Sequence, residues 1–80
     1  MSSIYLLYKT DTHHSYASRD LIGASASANT ILRMCHAQAD KEGEEISEDQ
    51  IWNLCNLKQT QGYSGEGEFH FESIVLNKLL

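Results

Sequence analysis

The sequence predicts an α+β fold: a small antiparallel three-stranded sheet with two helices packed on one face, in the order β-β-α-α-β. Three observations predict it. Apolar residues alternate or cluster over residues 4–8, 20–25 and 68–76, as strands require. They recur at three- and four-residue spacing from Ala28 to Ala39 and again from Ile51 to Cys55, as amphipathic helices require. Glycine and polar runs separate these stretches.

In the first strand, Ile4, Leu6 and Tyr8 alternate with Tyr5, Leu7 and Lys9. Both faces are largely apolar, which suits a strand covered on two sides or at an oligomer contact. Residues 10–18 (TDTHHSYAS) are polar, and their Asp, Ser and Thr side chains favour local turns. This connection is long for a hairpin, and loops of that length in small domains are often functional. The second strand, 20–25, opens on Leu21-Ile22, and its Gly23 marks a bulge or a close approach by another group.

Ser27 or Asn29 caps the first helix, whose Ala28, Ile31, Leu32, Cys35 and Ala39 form one apolar stripe. Gly43 ends it or sits just beyond. The second helix starts at Ser47, where Ser47-Glu48-Asp49-Gln50 fits a capping box and places two acids at the positive end of the helix dipole. Its inner face is predicted to hold Ile51, Leu54, Cys55 and Lys58. Residues 59–67 (QTQGYSGEG) contain three glycines and form a loop. The third strand directs Phe69, Phe71 and Val75 one way and His70, Glu72, Ile74 and Leu76 the other. The remaining apolar residues, Tyr5, Leu7, Ile74, Leu76, Leu79 and Leu80, are expected to coat the sheet face away from the helices. Such a patch predicts self-association as a homodimer or higher homo-oligomer.

Eighty residues make one domain, 1–80, with a small core. No run approaches the length of a membrane span, and Met1-Ser2-Ser3-Ile4 lacks the basic start of a signal peptide, so no membrane partner is expected. The net charge of −5 has an address: residues 40–49 hold Asp40, Glu42, Glu44, Glu45, Glu48 and Asp49 against Lys41 alone. Elsewhere the signs balance, and Lys9, Arg19, Arg33, Lys58 and Lys78 are scattered. Direct nucleic-acid binding, which needs clustered cations on one face, is not expected. The acidic segment reads as a solvated helix–helix connection, or as a surface facing a basic partner. Cys35 and Cys55 both fall at helical apolar positions and read as small buried hydrophobes in a reducing compartment.

The densest polar chemistry runs from Thr10 to Asp20. An Asp/His/Ser triad does not follow from it, because His14 and Ser15 are chain neighbours that point apart in extended backbone, and no nucleophile elbow accompanies them. His13, His14, His36, His70 and the two cysteines lack the spacing of a zinc site, so no metal and no other cofactor is expected. No enzymatic activity is expected either. A binding reading fits better. The ligand-binding set is Asp11, His14, Ser15, Ser18 and Arg19 from one loop, with Gln59, Thr60, Gln61 and Gly62 from another. Arg19 offers a planar fork for phosphate or carboxylate. His14, Ser15 and Ser18 add hydrogen bonds, Gln59 and Gln61 suit a base edge, and Tyr16 and Tyr63 suit stacking on a ring. The competing expectation pairs Arg19 with Asp20 or Asp11 and uses the glutamines to cap a helix end.

The pattern T-D-x-x-H-S-x-x-S-R-x-L-I-G, carried by Thr10-Asp11, His14-Ser15, Ser18-Arg19 and Leu21-Ile22-Gly23, resembles a group of short proteins encoded by bacteriophages and mobile elements. The group is also similar at Gln59-Thr60-Gln61-Gly62 and the Glu-rich final strand, so the resemblance spans most of the chain. It implies an accessory protein acting in the host cytoplasm. One form is an anti-defence protein that sequesters a small anionic ligand, such as a nucleotide signal, without chemistry. The alternative is an inhibitor that docks on a host protein through the acidic 40–49 segment.

Overall fold

Hydrophobic alternation and helical stripes become three strands and two helices in the computed structural model, which describes residues 3–13, 16–65 and 67–75. In chain order these are β1 (Ser3–Thr10), β2 (Asp20–Ser25), α1 (Ala28–Lys41), α2 (Glu48–Leu57) and β3 (Glu68–Val75). A 3-10 turn, Tyr16–Ser18, interrupts the β1–β2 connection. The α+β order is the expected one. β1 lies at the centre of an antiparallel sheet of order β2-β1-β3.

Register decides which face of β1 is the inner one. Leu7 lies opposite Phe71 and Lys9 opposite Phe69. Cross-strand partners share a face, so the two phenylalanines draw Tyr5, Leu7 and Lys9 toward the helices. There Leu7, Phe69 and Phe71 join Ile31, Cys35 and Ala39 of α1 and Leu54 of α2 in the core. Each large apolar side chain fully buried there contributes about 1.5–3 kcal/mol. Tyr5 stacks on Phe71 with ring centroids 5.5 Å apart. This corrects the expected outer coat: Tyr5 and Leu7 belong to the inner face, and Ile4, Leu6 and Tyr8 face away from the helices beside His70, Glu72 and Ile74. Leu76, Leu79 and Leu80 lie outside the described residues.

Gly23 serves both purposes expected of it. The β1–β2 register shifts between Leu7, opposite Gly23, and Tyr8, opposite Leu21, so Ile22 is the extra residue of a bulge. A Cβ on Gly23 would also lie 2.7 Å from the Met34 sulfur of α1.

Ser27, not Asn29, caps α1, its hydroxyl accepting from the Thr30 amide. Past its end, Gly43 takes the left-handed φ of +74°. Ser47 caps α2 by accepting from the Gln50 amide. The Gln50 side chain, expected to close a capping box, turns instead to the 59–67 loop. Its carbonyl accepts from the Gln61 amide at 2.9 Å, and its amide donates to the Gln61 carbonyl. Cys55 also departs from expectation, for it is exposed. α2 is short and reaches the core through Leu54 and, partly, Ile51, which leaves Cys55 about 100° round the helix on the solvent side. Both cysteines are free thiols, and burial pushes that of Cys35 up to about 12.

The acidic connection is not uniformly solvated. Glu42 turns inward to Lys9, whose ammonium donates to both its oxygens at 2.9 and 3.0 Å. Gln38 and the Tyr63 hydroxyl donate to it as well, at 2.9 and 3.0 Å. Burial alone would raise the Glu42 carboxyl, but the bonds from Gln38, Lys9 and Tyr63 and the Lys9 charge hold it below the usual range. Burial and Glu42 together push the Tyr63 phenol upward. Lys9 also lies over the Tyr63 and Phe69 rings, 5.5 and 5.4 Å from their centroids. Among the described residues, no helix is long and apolar enough to cross a membrane.

Candidate functional site

A short stretch after α2 builds the site. Lys58 adopts a left-handed φ of +64° that breaks the helix, and its ammonium donates to the Cys55 carbonyl in the last turn. The chain then runs antiparallel to the outer edge of β3. Phe71 donates its amide to the Lys58 carbonyl at 2.9 Å, and Thr60 donates to the Phe69 carbonyl at 3.0 Å. Gln59 is thereby set opposite His70. Along this edge lies a groove of about 500 Å³ lined by Arg19, Lys58, Gln59, His70, Phe71, Glu72 and Ser73.

Arg19 reaches the groove from the far end of the β1–β2 loop. Its guanidinium donates to a Glu72 carboxylate oxygen and to Nδ1 of His70, both at 3.0 Å, and lies 5.4 Å from the Tyr8 ring centroid. A guanidinium has no acceptor, so Nδ1 of His70 must accept, which puts the ring proton on Nε2. Burial, followed by the Glu72 charge, pushes the Tyr8 phenol up against the smaller opposing effect of Arg19. The expected pairing of Arg19 with Asp20 or Asp11 is replaced by this one, because the loop folds Arg19 back across the sheet face that carries Tyr8, His70 and Glu72. Lys58 supplies the second cation, its nitrogen 5.2 Å from the Phe71 ring centroid. Two cations against one carboxylate leave the lining positive on an acidic chain.

Of the ligand-binding set, Arg19 and Gln59 meet on this groove. Asp11, Ser18, Thr60, Gln61 and Gly62 stand apart from its described lining. Thr60 is fully buried; its hydroxyl donates to Glu68 at 2.7 Å and accepts from the Phe69 amide at 2.9 Å. The Glu68 carboxylate also accepts from the amides of Gly62 and Tyr63, at 3.0 and 3.1 Å. Gln61 is held through its backbone by Gln50. The Q-T-Q-G run thus wraps a buried carboxylate, and only Gln59 faces the groove. Tyr63, expected to stack on a ligand, is a core residue. Asp11 accepts from the His13 amide at 3.0 Å and donates its own amide to the Ser18 hydroxyl at 2.9 Å, so both shape the β1–β2 loop. His14, Ser15 and the Tyr16 ring lie outside the described residues.

Lys58, His70, Phe71, Glu72 and Ser73 were missing from the sequence-derived set. One signal pointed to two of them: His70 and Glu72 alternate with the core aromatics of β3, so their strand carries a polar face. With its Nδ1 engaged by Arg19, His70 is placed to fix that guanidinium. The lining as a whole offers charged donors, an amide, a hydroxyl and a ring edge, the components of a binding site for an anion. No family model, no curated protein and no solved structure matches the chain.

Proposed function

We propose that this chain is a phage-type accessory binding protein that captures a small anionic ligand, with a nucleotide signal as the leading class, and holds it without converting it. The groove beside β3 carries this reading. There two residues singled out for ligand contact, Arg19 and Gln59, stand with Lys58 around a positively charged hollow. Its volume falls within the roughly 300–1,000 Å³ usual for small-molecule sites. Lys58, exposed at the helix end, meets the anion first, and Arg19 is pre-oriented by Glu72 and His70. Gln59 supplies the amide that reads a base edge. Sequestration of this kind in the host cytoplasm needs tight binding and neither cofactor nor catalyst. A homodimer would cover Leu21 (57% exposed) and its neighbour Ile22 on β2.

Calorimetry against mononucleotides, cyclic dinucleotides and pyrophosphate tests the reading. Binding well below about 1 mM is expected, weakened about tenfold by Lys58→Gly or Gln59→Ala. Absence of any interaction tighter than about 1 mM across the panel overturns it.

A second reading, docking onto a basic host protein, has its own observation. Asp40, Glu44, Glu45, Glu48 and Asp49 are all exposed, and Trp52 beside them is 59% exposed. Charge complementarity there would speed encounter. Changing Glu44, Glu45 and Glu48 together to Lys then abolishes function while Lys58→Gly has little effect. The opposite ranking supports capture in the groove.

A further inference from the structure

Among the described residues, β3 is an edge strand whose outer ladder is only partly occupied. The bonds between Thr60 and Phe69 and between Phe71 and Lys58 show that the backbone groups of Phe69 and Phe71 point away from β1. Alternation along a strand aims the amide and carbonyl groups of Ser73 and Val75 the same way. No backbone of the described residues pairs with them, because the left-handed turn at Lys58 leads into α2 and stops the ladder there. Ser73 and Val75 are both exposed, and Ser73 also lines the groove. The hollow and the vacant edge are therefore one continuous feature.

A row of unpaired strand groups is a template for another extended chain. Direction matters here. Residues 58–60 run antiparallel to β3, so a segment continuing the same ladder would pass Val75, then Ser73, and end where Lys58 begins. Its carboxy-terminal end would arrive at the Lys58 ammonium and the Arg19 guanidinium, charges that complement a terminal carboxylate. We propose that the Ser73–Val75 edge, together with the Lys58 end of the groove, docks the carboxy-terminal end of an extended polypeptide by strand addition antiparallel to β3. The proposal rests on the reading of the groove as an anion receptor, and it adds main-chain partners that a small ligand does not use.

The test uses the full chain and a fluorescein-labelled pool of pentapeptides with randomised side chains and a free carboxy terminus. The same pool as carboxy-terminal amides and the same pool N-methylated at alternate residues serve as controls. Saturable anisotropy is expected for the free acid, about tenfold weaker for the amide, and lost on N-methylation. Lys58→Gly, which suits the left-handed backbone while removing the ammonium, should lower affinity about tenfold. Hydrogen exchange at the Ser73 and Val75 amides should slow in the presence of the free acid. No binding and no slowing overturns the proposal, and a nucleotide or pyrophosphate that still binds would leave the anion-receptor reading standing. Equal affinity for acid and amide, with slowed exchange, overturns the carboxylate contact and so the docking of a carboxy-terminal end, while the nucleotide and pyrophosphate panel decides the anion-receptor reading separately. Ser73 and Val75 already protected in a protein that sediments as a dimer would assign the edge to a second copy and overturn the proposal too.

Discussion

Thr60 and Glu68 are joined by a 2.7 Å hydrogen bond inside the molecule, where Glu68 is only 3% exposed and Thr60 is fully buried. Its carboxyl group is tolerated there because the Gly62 and Tyr63 amides complete its cradle. The same Thr60 oxygen accepts from Phe69 and so ties the cradle to β3. The loop that leads into the groove is therefore anchored from within.

Thr60→Val keeps the shape and removes the hydroxyl. It leaves the Phe69 amide without its acceptor and Glu68 without one donor, at about 1–3 kcal/mol for each buried group. Urea unfolding should show a loss in this range. A change below about 0.5 kcal/mol would mean that the cradle does not hold the loop.

Two glycines should respond differently to alanine. At Gly67 a Cβ would collide with the Thr10 carbonyl, which is backbone and cannot step aside. At Gly23 it would meet the tip of the Met34 side chain, which has other rotamers. Gly67→Ala should therefore cost more than Gly23→Ala, with overpacking of about 1–3 kcal/mol at the first site. Equal midpoints in denaturant would contradict this.

Thiol labelling should separate the cysteines. At pH 8 in native buffer a disulfide reagent should modify Cys55 quickly, whereas Cys35 should react only on unfolding, since it is buried with its thiol pushed up to about 12. The raised value has a sign consequence. The folded state keeps a proton that the unfolded state releases, so this contribution is complete below the ordinary thiol value of 9.0 and declines as pH rises above it. The raised Tyr63 phenol acts in the same sense above 10.0. Prompt reaction of both thiols in the folded protein would contradict the packing.

Glu42 has the opposite sign. Its carboxyl is lowered in the fold, so its contribution is complete above the ordinary value of 4.5 and is lost as pH falls through the folded value. The acid limb of a melting-temperature profile should be shallower in Glu42→Gln than in the unsubstituted chain. Superimposable acid limbs would show that the Lys9–Glu42–Tyr63 cluster adds no linkage.

Periodicity and caps are properties of neighbouring residues, which is why the strand–strand–helix–helix–strand order, the Ser47 cap and the Gly23 bulge were legible from the sequence. Arg19 and Gln59, which line the groove, could also be singled out from the sequence, since a polar loop of unusual length and an amide-rich turn stand out without any knowledge of contacts. The partners were not. Arg19 had acids beside it in the chain, yet it pairs with Glu72 and His70, because the loop folds back over a sheet whose register is set by Leu7 and Phe71. Thr60 and Gly62 looked like ligand contacts because nothing local shows that Glu68 is buried beside them.

By itself the sequence determined the elements, their order and the concentration of acid near the second helix, since each depends on residues within a few positions of one another. The tertiary structure alone decided which face of β1 is inner, which acid of the 40–49 segment turns inward, and that Lys58, Arg19 and Ser73 of β3 border one groove. Those outcomes depend on strand register and on chain closure over dozens of residues, where side-chain volume and charge compete across the whole molecule rather than along the backbone.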